Sequence, residues 1–483
     1  MPTILDPLKP GFSHGLDNAQ SMPKILPLPR LSSAAALAAM LLVAPVHAEN
    51  EPTLAAAELV IPALLTGPGY RVEPQVQVTG YQARFVLHTD WGRLEAESAE
   101  MLAIRISEIP AMDAVFTAEI TGLVAQSAQN AAMAPVRAIG QVVTHPIDSL
   151  IGLPVGAVRF FGEGVTKWGR RAKRLGDQID DRISHDGDPY RDPEGPMGAT
   201  RAEVDPTERA WWEKPRRELV RAVRGEISYR RSRLELAQKL GVDPYTSNPI
   251  LNERLDRLAW MTSTGAFATR QLVSVATAGF AETLGYTQDV ERLVLREVPE
   301  DLAQRNHDVL SLHCSDEDLL ERFVRHRAFT PTLQTAFTEE LDALRPRTGC
   351  EALLETALMA GSEIEARFVL NALRLVRHYG GDAAIGGHVR SHGATLAYLT
   401  EGGEFLLPVP VDVLSWTPQI EAWFDRALLS GHDNPTLLVS GRISNEAQRQ
   451  LTRRNWNQVA HVPYPGAPPY PASPSAPAGL APR

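Results

Sequence analysis

The sequence predicts a mainly α protein with a small N-terminal β-meander, a central helical domain and a small C-terminal α/β unit. Three observations carry that expectation. Apolar residues recur at helical spacing through much of residues 101–379, alternation of period two is confined to residues 55–96, and strand-like and helix-like runs alternate after Gly380. A chain of 483 residues is long enough for two or three domains.

Residues 1–48 read as a leader ending in a signal peptide. Lys24 and Arg30 give a basic start, Ala34–Val43 a short apolar core, Pro45 a break, and Val46-His47-Ala48 small residues where a signal peptidase reads. Cleavage after Ala48 would leave Glu49 as the mature N-terminus. The apolar run is shorter than the roughly 20 residues that cross a bilayer, so it is not read as an anchor. Residues 1–21 carry Pro2, Pro7, Pro10, Gly11 and Gly15 and no helical period; Met22 is the expected start, with Met1 the alternative. The expected location is periplasmic or secreted.

Residues 49–115 read as a small β element followed by a helix. Tyr70, Val72, Val76 and Val78 alternate with polar neighbours, Tyr81–His88 continues the strand character, and Asp90-Trp91-Gly92 is a turn before a helix from about Glu97. Residues 116–183 read as a helical segment. Within it Ile151, Val155, Val158, Phe161, Val165, Trp168, Ala172, Leu175 and Ile179 mark one helix face, beside Arg170, Arg171, Lys173 and Arg174. Gly162, Gly169 and Gly176 lie along that seam, which favours packing into a helical core. Its alternative is contact of Phe160, Phe161, Trp168 and the four basic residues with an envelope protein or an anionic membrane surface. Residues 184–207 are a polar linker rich in Pro and Asp.

Residues 208–379 read as a helical domain. Leu219, Val223, Ile227, Leu234 and Leu240 make a stripe closed by Gly241; a two-proline turn spans Val242–Pro249, and a second helix runs on to Gly285. Thr330-Pro331 marks a further start, and Ser362–Glu365 has the capping-box pattern. Residues 380–462 form the α/β unit, with strands at 394–399, 405–411, 436–440 and 459–462 and helices at 418–429 and 445–453. Residues 463–483, dense in Pro, Ala and Ser, are expected to be disordered.

Charge and motifs exclude more than they assign. A net charge of −10 argues against general nucleic-acid binding. The chain's two thiols, Cys314 and Cys350, are the expected disulfide in an oxidising compartment; a Cys314 nucleophile served by His313 lacks any cysteine-enzyme motif. His145 and Asp148 read as a turn. His378, His388 and His392 are the nearest approach to a metal set, but Gly386, Gly387 and Gly393 argue against a zinc helix. Gly441 stands before a helix where a phosphate could sit, yet neither the dinucleotide glycines nor a Walker lysine follows; Arg442 and Ser444 are expected to cap that helix, with Glu446 in its first turn. No cofactor, metal or catalytic residue is assigned.

The Leu240–Pro249 turn, the Pro146–Arg174 stretch and the run from Val439-Ser440-Gly441-Arg442-Ile443-Ser444 through Trp456 together resemble a family of uncharacterised exported proteobacterial proteins. The resemblance implies export and carries no activity. The expected function is an envelope-associated binding or scaffold protein, with a periplasmic hydrolase of non-standard site as the alternative.

Overall fold

Residues 48–118, 216–263, 280–392, 395–425 and 435–471 are described by the structure, a computed structural model. The described residues are 51% helical and 18% strand, so the mainly α expectation is corrected to a mixed class. The strands missing from the sequence reading account for the difference: Thr53–Ala55, Thr66–Gly67, His388–His392, Val413–Leu414 and Arg442–Ile443 are two to five residues long, too short for a period to show.

The N-terminal sheet has six strands: β1 (Thr53–Ala55), β2 (Thr66–Gly67), β3 (Tyr70–Val72), β4 (Gln75–Thr79), β5 (Gln82–Thr89) and β6 (Gly92–Ala96). Its order is β1-β4-β5-β3-β2 with β6 also on β5, all antiparallel. Val76, Val78, Ala83, Phe85 and Leu87 point inward, as the alternation requires. Gly80 and Tyr81 both have positive φ, +64° each, the geometry of a two-residue hairpin that follows strand twist. Helix α1 (Ala99–Ser107) follows, its first turn capped by the Ser98 hydroxyl accepting from the Met101 amide at 3.1 Å. A second helical stretch covers 109–118.

The helical part contains α2 (Arg216–Leu240), α3 (Pro249–Ser263), α4 (Phe280–Leu284), α5 (Gln288–Arg296), α6 (Pro299–Leu310), α7 (Glu317–Val324), α8 (Pro331–Leu344), α9 (Cys350–Leu358) and α10 (Glu363–Gly380). Proline stands at the first position of α6 and α8, where its missing N–H is not needed. The capping box expected at Ser362 does not close. Ser362 makes no side-chain cap bond, and Glu365 instead accepts from the Gly361 amide at 2.5 Å.

The C-terminal sheet, order β13-β11-β9-β8-β7, joins β7 (His388–His392), β8 (Thr395–Leu399), β9 (Phe405–Val409), β11 (Thr436–Val439) and β13 (Asn457–Val459). β7, β8 and β9 are antiparallel; β9, β11 and β13 are parallel and are linked by α11 (Pro418–Phe424) and α12 (Asn445–Arg453). β10 (Val413–Leu414) and β12 (Arg442–Ile443) form a separate parallel pair. Period-two alternation divides this sheet between two cores. Leu406 and Leu438 face the large core that runs from Ala56 in the meander through Leu102 to Leu370, whereas Leu407, Leu437 and Val439 face Trp416, Trp423 and Trp456.

Asp412, just past the end of β9, ties the meander to the α/β unit. Its Oδ2 accepts from the amides of Ala83 at 2.9 Å and Ala99 at 3.0 Å, and its Oδ1 accepts from the Tyr470 hydroxyl at 3.0 Å. In open α/β sheets ligands sit outside the carboxyl ends of the strands. Here Tyr81 of the hairpin tip accepts from the Asp412 and Val413 amides, Tyr464 and Tyr470 come in from the C-terminal segment, and the crevice keeps about 10 Å³, room for a single water. Residues 463–471, which the sequence places in a disordered tail, are therefore packed: Tyr464 is buried, and Gly466 lies so close to Gly285 and Leu284 that a Cβ would meet the Leu284 carbonyl. Residues 472–483 lie outside the described residues. Among the described residues no helix is long and apolar enough to cross a membrane.

Candidate functional site

Two helices carry charged residues at helical spacing on faces that meet. On α1, Glu100 and Arg105 are followed by Glu108 at its C-cap; on α10, Glu363, Arg367, Asn371 and Arg374 step by four, four and three. Such a stripe is ordinarily a solvated face. On α10 the remaining faces are taken by Ala366, Val369, Leu370, Ala372, Leu373 and Val376, all buried, and of the stripe Arg367, Asn371 and Arg374 are buried as well, with Glu363 half-buried at its start. Burial demands partners. Arg367 donates to Glu100 at 3.0 Å and to Glu363 at 2.8 Å, and the Asn371 amide donates to Glu100 at 2.6 Å.

The turn between α2 and α3 brings a third group of polar side chains to the same place. Gly241, φ +66°, ends α2 in the left-handed conformation that favours glycine. Arg233, fully buried, then clamps the turn by donating to the Pro244 carbonyl at 2.9 Å, to Asn252 at 2.5 Å and to Asp256. Asp243 closes an Asx turn on the Tyr245 amide at 2.8 Å and also accepts from the Thr332 hydroxyl at 2.7 Å.

α1, this turn, α4 and the start of α10 line a half-open cavity of about 200 Å³. Arg105 pairs with Glu108 at 3.1 Å and donates to the Ser247 hydroxyl at 2.6 Å. Glu108 in turn accepts from Thr246 and from Asn248 at 2.8 Å. Tyr245 and Phe280 supply aromatic wall, Ile104, Leu240 and Leu284 aliphatic wall. Two of the three carboxyls in the lining are shifted in opposite directions. Burial raises Asp243 to about 6 against the two hydrogen bonds it accepts. Burial works the same way on Glu363, but Arg367, Arg105 and the Ser247 hydroxyl outweigh it and hold that carboxyl below the usual range.

None of the described residues given a candidate site role from sequence lines this cavity. Cys314 and Cys350 stand at disulfide distance, Cα to Cα 5.3 Å, one before α7 and the other opening α9. His313 turns away from Cys314 to Asp342 at 2.8 Å. His378 is in the last turn of α10, and His388 on β7 meets the Thr348 hydroxyl at 2.9 Å. Among the described residues no group of three or more His, Cys, Asp or Glu could hold a metal ion. Gly441 is not a phosphate seat: a Cβ there would strike the Asp412 carbonyl, so the glycine serves close backbone approach. Ser444 caps α12 as expected, accepting from Ala447 at 3.1 Å, whereas Arg442 does not cap and pairs with Glu58 at 3.2 Å. The anion at that helix start is internal, since Ser444 donates to Glu49 at 2.5 Å. His145, Asp148, Phe160, Phe161, Trp168, Arg170, Arg171, Lys173 and Arg174 lie outside the described residues.

Comparison with protein-family models, curated proteins and solved structures gives no match.

Proposed function

We propose that the chain is an exported binding protein that holds a small polar ligand in the cavity between α1, the α2–α3 turn, α4 and α10. The observation that carries this reading is the convergence of five ionisable side chains, Arg105, Glu108, Asp243, Glu363 and Arg367, on one space with aromatic walls. At about 200 Å³ the space is below the roughly 300–1,000 Å³ of drug-sized sites, which suits a small metabolite. Melting the purified chain against a panel of small amines, carboxylates, phosphate and sugars tests it. At least one class should raise Tm in proportion to its concentration, and the shift should vanish in Ser247→Trp, where the indole fills the cavity. Silence across the panel, or a shift that survives the filled variant, overturns the reading.

One observation favours hydrolysis in the same cavity as a second reading. Two carboxyls whose environments push their proton affinities in opposite directions are what an acid and base pair requires, with Asp243 the proton carrier and Glu363 the ionised partner. Turnover of an ester, peptide or glycoside that is lost in both Asp243→Asn and Glu363→Gln would move the protein into that class.

Export rests on the sequence of residues 22–48. It is supported by the role of Glu49: its amide donates to the Trp416 carbonyl at 2.8 Å, and its carboxylate accepts from the Trp416 amide at 2.9 Å and from Ser444. A chain cut after Ala48 keeps all three bonds. Oxidation of the Cys314 and Cys350 pair belongs to the same reading, and closing a loop of that length typically adds 2–4 kcal/mol. Intact-mass analysis of protein recovered from the envelope fraction is expected to give Glu49 as first residue and a mass two hydrogens below that of the dithiol. A species retaining Lys24, or two titratable thiols in unfolded, unreduced protein, counts against export or against the bond respectively.

A further inference from the structure

The charges around the cavity do not balance, and the imbalance has a direction. Two guanidiniums, Arg105 and Arg367, line it against three carboxyls, Glu108, Asp243 and Glu363, and Glu100 stands behind Arg367 as a fourth. Both guanidiniums are already committed. Arg105 is held by Glu108 and Ser247, and Arg367 lies between Glu100 and Glu363, with each guanidinium side chain about 5–6% exposed. The least covered charged side chain of the ion pairs lining the cavity is Glu363, at 19%.

The least covered polar groups of the lining are the Glu363 carboxylate and the half-buried Ser247, and the same lining holds the rings of Tyr245 and Phe280. Anionic groups over aromatic surface are the chemistry that recognises an ammonium: the charge is met by the carboxylate, and the ring quadrupole attracts the same positive end. An anion would have to displace Glu108 or Glu363 from the guanidinium it holds, which leaves a buried carboxylate unpaired.

We infer that the cavity is a site for a small organic cation, a primary or quaternary amine, with Glu363 as its charge partner. This inference rests on the binding reading above and narrows it to one ligand class. The experiment titrates the purified full chain with ethanolamine, putrescine and choline on one side and with acetate, inorganic phosphate and glucose on the other, read by Tm and by calorimetry. The amines are expected to bind and to weaken as sodium chloride is raised, while acetate and phosphate leave Tm unchanged. Glu363→Gln should cut amine affinity at least tenfold, and Glu363→Asp, which keeps the charge, should retain part of it. If Glu363→Gln does not fold, the wild-type panel decides alone. Binding of acetate, phosphate or glucose in place of the amines overturns the cation assignment and leaves the cavity as a binding site. Amine affinity undiminished in a folded Glu363→Gln removes Glu363 from the role. No response to any probe removes the cavity reading and this inference together.

Discussion

Asp412→Ala is expected to cost the fold roughly 3–6 kcal/mol, a large part of the 5–15 kcal/mol typical of a folded protein. The carboxylate satisfies three donors from distant parts of the chain, the amides of Ala83 and Ala99 and the hydroxyl of Tyr470. Alanine leaves two buried amides and one part-buried hydroxyl without this acceptor, and each buried loss costs about 1–3 kcal/mol. Asp412→Asn is a different substitution. Its carbonyl still accepts from the two amides, its NH2 faces a tyrosine hydroxyl that can accept, and no charge is buried, so stability at pH 7 should be equal to wild type or higher.

The two variants also separate by pH. Burial raises the Asp412 carboxyl to about 6, opposed by its hydrogen bonds to Ala83, Ala99 and Tyr470, whereas the unfolded group titrates near its ordinary 3.8. Between those values the folded state holds a proton the unfolded state has released. The contribution of this group is thus fully present below about 4 and is lost as pH rises through about 6, on the order of 3 kcal/mol for a shift of that size. Urea melts at pH 4.5 and pH 7.5 are expected to show wild type losing ground to Asp412→Asn on going to the higher pH. Parallel pH profiles for the two proteins would show that this carboxyl does not change protonation in that range.

Arg367→Ala is the second large effect, about 3–5 kcal/mol. Removing one partner of a buried ion pair strands the other, and here two carboxylates, Glu100 and Glu363, lose the same guanidinium. Arg367→Lys keeps the charge but gives up the planar fork that reaches both carboxylates at once, and should fall between wild type and alanine. Pairing Arg367→Met with Glu100→Gln removes both charges and should recover part of the loss, giving a coupling energy above about 1 kcal/mol in a double-mutant cycle. A cost below 1 kcal/mol for Arg367→Ala would mean that the stripe on α10 is solvated and that the cavity has no buried wall.

The candidate site was the least legible part of the chain. Glu363, Arg367, Asn371 and Arg374 show the spacing of a charged helix face, and in one dimension that spacing says solvent. The corrective signal was present in the apolar residues Ala366, Val369, Leu370, Leu373 and Val376, which turn the other faces of α10 inward as well. Asp243 was equally hidden. It sits in a turn whose sequence announces a break between helices; its bond to the Tyr245 amide is local, but its burial and its second donor, Thr332, 89 residues on, come from the fold.

Local chemistry was determined by the sequence itself: the start of α8 at Thr330-Pro331, the end of α2 at Gly241, the cap at Ser444, the hairpin alternation of β4 and β5, and the pairing of the two thiols as partners for each other. These depend on φ preferences, on side-chain oxygens within three residues of an orphan amide, and on period, all of which act over one or two turns of chain. The tertiary structure alone decided the mixed class, the closed crevice beside Asp412 and the charged cavity. Each arises from groups tens to hundreds of residues apart, Glu100 with Arg367, Ala83 and Tyr470 with Asp412, Glu49 with Ser444. The physical reason is that burial sets the worth of a charge, and burial is a property of what packs around a residue rather than of its neighbours in sequence.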